Sequence, residues 1–171
     1  MSAEGRARLS AQQAELLRAL AGDGPPPADF DAARLRATAE ALASKRAQAV
    51  ARAWPALAGA LADRFREHFD RHARQSPLPE VGGPLADGRS FARMLARQRE
   101  LPDAGRREAL AVDLHFRSTR RGLVPRRGPA VAATFLREAR RLIVAVRLPW
   151  LGARWLSIPL GRSRHLAGAT G

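Results

Sequence analysis

The sequence predicts a mainly α fold: a compact multi-helix bundle with a small C-terminal β-hairpin. Three observations carry that expectation. Residues 52–102 hold three short amphipathic segments, each opened by a Pro, Asp or Gly and separated by a proline-rich loop. Residues 32–53 keep a helical period throughout. From about residue 141 the pattern turns to β-branched apolar residues and then to strict alternation.

Taken in order, Ser10 is the expected cap of the first helix, with Gln13 completing the box and Leu9 stapling to Ala14. Leu16, Leu17 and Leu20 form its stripe, and Gly22 stops it before the stiff Gly24–Pro27 connector. Asp31 caps the longest helix, where Leu35, Thr38, Ala39, Leu42, Ala49, Val50 and Ala53 share a face. Pro55 disfavours helical geometry at Trp54 and suits the first position of a new helix carrying Leu57 and Leu61. Asp63 is the expected cap of a helix with Phe65, His68, Phe69 and His72 on one side. An irregular loop from Ser76 to Asp87 leads to a helix near 89–100, and the last helix runs roughly from Asp103 to Arg117. A basic connector, Thr119–Pro129, precedes a hairpin that pairs 141–148 with 154–160. The chain therefore divides into a helical domain, 1–118, and a basic connector with a hairpin tail, 119–171.

Charge divides the same way. The net charge is +14, and all but one of the 30 basic residues are arginine. Residues 1–114 carry 18 basic and 15 acidic side chains, whereas residues 115–171 carry 12 arginines against the single acid Glu138. A tail of that density calls for an acidic partner: nucleic acid, anionic lipid or an acidic polypeptide. A codon bias toward arginine accounts for part of the count but not for the missing acids. The candidate peptide- or nucleic-acid-binding residues are Arg120, Arg121, Arg126, Arg127, Arg147 and Arg154.

No catalytic centre is legible. With no cysteine, disulfides and thiolate metal sites are excluded. His68 and His72 have the i, i+4 spacing of zinc ligands, but they lie beside Phe65 and Phe69 and have no third ligand, which favours ordinary packing. There is no nucleophile elbow, Walker loop or dinucleotide fingerprint. The expectation is a protein that is not an enzyme and needs no cofactor or metal. The N-terminus lacks an apolar signal core and no apolar run approaches the ~20 residues of a membrane span, so the expected address is cytoplasmic.

Between Ser10 and about Arg117, five passages occur in a recognisable order: LSAQQAELLRAL, RLRATAEALASKRAQAVARAWPAL, LADRFREHF, SPLP…GRSFARML and RELPDAGRREALAVDLHF. Their order resembles the DNA-binding-domain family of HvfC/BufC-type proteins, in an actinobacterial-like variant ending RRLIVAVRLPWLGARWLSIPL. The resemblance implies an accessory role beside an iron-dependent, TIM-barrel peptide-modifying enzyme and its precursor peptide. The chemistry would then belong to the enzyme, so no catalytic residue transfers to this chain. Two readings follow: a non-catalytic adaptor in ribosomal peptide maturation, whose hairpin edge accepts an extended peptide, and a DNA-binding protein using the basic tail.

Overall fold

The computed structural model describes residues 3–21 and 32–160, arranged as six helices followed by five strands. The helices are α1 (Ala3–Ala21), α2 (Ala32–Ala53), α3 (Pro55–Leu61), α4 (Arg64–Gln75), α5 (Gly83–Arg97) and α6 (Asp103–His115). Strands β1 (Phe116–Thr119) and β2 (Gly122–Pro125) form one antiparallel sheet. Strands β3 (Ala130–Leu136), β4 (Arg141–Leu148) and β5 (Gly152–Pro159) form a second, in the order β3-β4-β5.

This corrects the expected bundle with one small hairpin. The hairpin pairing of 141–148 with the segment after Gly152 is present, but it is two thirds of a three-stranded sheet, and a separate two-stranded sheet precedes it. The basic connector contains β2, and Ala130–Leu136 is a strand with no β-branched run to announce it. Its three alanines favour helix over strand, so composition alone did not mark it.

Several local expectations also change. Ser10 lies inside α1, where its hydroxyl donates to the Ala7 carbonyl, and it is not a cap. Asp63 stands at the expected N-cap position of α4, but its side chain makes no cap bond. The irregular loop is shorter than expected, because α5 begins at Gly83 and takes Pro84 into its first turn. The side chains of Leu16, Leu17 and Leu20, the Gly22–Asp31 connector with its cap, and everything after Leu160 lie outside the described residues.

The helical core forms around the break at Trp54-Pro55. Trp54 is fully buried and its indole N–H donates to the Leu85 carbonyl at 3.1 Å. Gly88 lies flat against that indole, where any Cβ would overlap the ring. The first N–H groups of α3 have no partner within their own helix. Glu108 of α6 reaches across and accepts those of Ala56 and Leu57 at 3.2 and 2.8 Å. Phe65, Phe69 and Phe91 pack around this point with ring centroids 5.3–5.8 Å apart. Among the described side chains of α2, Ala47 and Val50 are buried in the core, whereas Leu42 is half exposed.

A second core joins the helices to the larger sheet. Leu110 and Leu114 of α6 pack on Ala130, Leu136, Ile143 and Ala145. At the start of α6, the Asp103 carboxylate accepts the backbone N–H groups of Arg137, Glu138 and Ala139, which fixes the β3–β4 turn to the helix. Next to it, Arg106 has buried Nε and Nη2 atoms without a hydrogen-bond partner among the described residues. Burial first, and Arg137 second, hold its pKa below the ordinary arginine value.

Candidate functional site

Alternation along the strands gives the larger sheet two unlike faces. Ala130, Leu136, Ile143 and Ala145 face α6 and are buried. Their neighbours point the other way: Val131 pairs with Val146 and Phe135 with Leu142, while Val144 pairs with Leu156 and Leu142 with Ile158. Val131, Phe135, Leu156 and Ile158 are 70, 40, 60 and 39% exposed, so the outer face is apolar and open. The β4–β5 turn projects further: Trp150 is 94% and Leu151 64% exposed.

The edges decide where a strand could add. β4 is the central strand, paired with β3 on one side and β5 on the other, so it has no free edge. Of the two hairpin strands expected to offer one, only β5 has an edge unpaired among the described residues.

The six candidate arginines do not form one patch. Arg126 is structural: its Nε donates to the carbonyls of Asp113 and Phe116, and so caps the end of α6. Arg147 donates through Nη1 to the carbonyls of Arg126 and Gly128, which ties β4 to the segment before β3. Arg120 and Arg121 sit in the β1–β2 turn, where Arg121 pairs loosely with Glu80 at 3.4 Å. Arg127 and Arg154 are exposed, and Arg154 lies opposite Val146 on the outer face of the large sheet.

The polar cluster that sequence reasoning missed lies between helices. Asp87 is fully buried and receives Arg46 in a two-pronged contact, from Nε at 2.6 Å and Nη2 at 2.7 Å. His72 Nε2 lies 3.1 Å from the same carboxylate. Burial pushes the Asp87 carboxyl up, but the hydrogen bonds and charges of Arg46 and His72 outweigh it and leave the group below its ordinary value. Arg46 also donates to the carbonyl of Ser76, so one guanidinium joins α2, the end of α4 and α5. His68 stands apart from this cluster, 3.0 Å from Arg64 Nη2 and 3.4 Å from Glu100. Among the described residues no group of three or more His, Cys, Asp or Glu side chains could hold a metal ion. The buried Arg46–Asp87–His72 cluster braces the fold.

Residues 10–97, from within α1 to the end of α5, match the family model described as SCO6045-like, C-terminal domain. The chain belongs to this SCO6045-like C-terminal domain family. The family match ends before α6 and both sheets. It gives an SCO6045-like domain, not the HvfC/BufC assignment expected from the five passages. The chain is 41% identical over 104 residues to a UPF0276 protein of Streptomyces avermitilis, an alignment covering 60% of this chain and 21% of that protein. The chain thus spans about a fifth of the length of this curated relative. No solved structure matches. No helix among the described residues is long and apolar enough to cross a membrane.

Proposed function

We propose that this SCO6045-like domain is a non-catalytic accessory module of a peptide-modifying enzyme, which it serves by holding the precursor peptide during ribosomal peptide maturation. The observation that carries this reading is the proportion of the match: in the Streptomyces avermitilis UPF0276 protein the similar segment is about a fifth of a much longer chain. In this reading the other four fifths hold the enzyme, and the segment works against them. The order of passages resembling HvfC/BufC-type proteins supports the same role.

The proposed mechanism is strand addition. An extended peptide pairs with the free edge of β5, where main-chain hydrogen bonds supply affinity and alternate side chains supply selectivity. Exposed Arg154 on β5 and Arg127 before β3 attract its acidic residues, while Arg126 and Arg147 keep the sheet in place.

The test removes the matching segment from the Streptomyces avermitilis protein and supplies this chain separately. A one-to-one complex on size exclusion, stable to nuclease, is the expected result. If no complex forms and this chain instead co-purifies with nucleic acid, the adaptor reading fails and the DNA-binding reading takes its place.

A further inference from the structure

The β4–β5 turn has a use that strand addition leaves untouched. Leu148, Trp150 and Leu151 stand at its tip, with Trp150 94% exposed. Apolar exposure also passes around this end of the sheet: Leu156 lies on the outer face, and Trp155, paired with the inward-facing Ala145, lies on the opposite one. A flat protein surface could cover only one of those faces, whereas a fluid interface wets both. Arg147 and Arg154 flank the turn, and β4 and β5 contain no acidic residue.

We infer that this turn docks on the surface of an anionic phospholipid bilayer. Trp150 and Leu151 enter the boundary between headgroups and acyl chains, the position tryptophan favours. Trp155, three residues along β5 from Gly152 and so about 10 Å further from the tip, stands at headgroup level. Insertion stops there, because the unpaired backbone groups of the β5 edge are costly to bury in hydrocarbon. Exposed Arg154 meets the lipid phosphates, worth about fivefold in affinity at an anionic surface. The rest of the β5 edge remains in water, free for a peptide.

The test is co-sedimentation of the full chain with vesicles of phosphatidylcholine alone, or of three parts phosphatidylcholine to one part phosphatidylglycerol. The expected result is binding to the anionic vesicles only, with a blue shift of tryptophan emission that Trp150→Phe abolishes. Replacing the tip by Trp150→Ser with Leu151→Ser should weaken binding at least tenfold. Both side chains are exposed, so circular dichroism and Tm should not change. Arg154→Gln should cost about fivefold. Equal binding by the tip variant would reduce the effect to general charge attraction and overturn the proposal. So would an absence of vesicle binding in a chain whose tip variant loses a protein partner instead, which would assign the turn to that protein.

Discussion

Asp87 shows how much one side chain can hold. It has no exposed surface, and Arg46 from α2 and His72 from α4 both converge on it. Replacing it by Asn leaves Arg46 without its charge partner, an expected loss of about 3 kcal/mol in urea unfolding. The pH dependence has a definite sign. The carboxyl's folded pKa lies below the ordinary aspartate value, so its contribution is fully present above that value and is lost as pH falls through the lower, folded one. The stability gap between wild type and Asp87→Asn should be constant at neutral pH and close only in acid. Unfolding curves taken from pH 7 downward, at about one-unit steps through the carboxylate range, would check this. The sequence did disclose His68 and His72 as neighbours on one face, and both are buried there. It did not disclose Asp87, because the partners lie 15 and 41 residues away and nothing local marks the pairing.

At the scale of elements, the legible parts are those whose signals are local. The break at Trp54-Pro55 and the bounds of α2 follow from proline sterics and an unbroken period. The β3 strand was not legible, because its alanines favour helix and its pairing with β4 is a tertiary event. What fixes that pairing on the helical layer is Asp103. Its two carboxylate oxygens hold three successive N–H groups of the β3–β4 turn. Asp103→Ala should therefore speed amide exchange at Arg137, Glu138 and Ala139 and cost about 1–3 kcal/mol. Exchange on the far side, in the β4–β5 turn, should not change. Arg126 also carries a lesson about charge. Reading every arginine of the tail as free for a partner overcounts, because backbone carbonyls already engage Arg126 and Arg147.

At the scale of the molecule, α6 is shared. Its Ala109 and Val112 belong to the helical core, while Leu110 and Leu114 belong to the core under the sheet. Two clusters built on one helix should melt together. Leu114→Ala, at a fully buried position, should destabilise the fold by about 2–5 kcal/mol. The near-ultraviolet signal of buried Trp54 and the amide exchange of β4 should shift by the same amount. Separate transitions would mean that the sheet folds as its own unit.

The central position of β4 has a further consequence, for solution behaviour. Leu142-Ile143-Val144-Ala145-Val146 is a short, uncharged, β-prone run of the kind that stacks into fibrils when its edge is bare. Between β3 and β5 that edge is shielded on both sides. A protease cut at the exposed Trp150–Gly152 turn, followed by loss of β5, would turn a folded domain into a seed for aggregation.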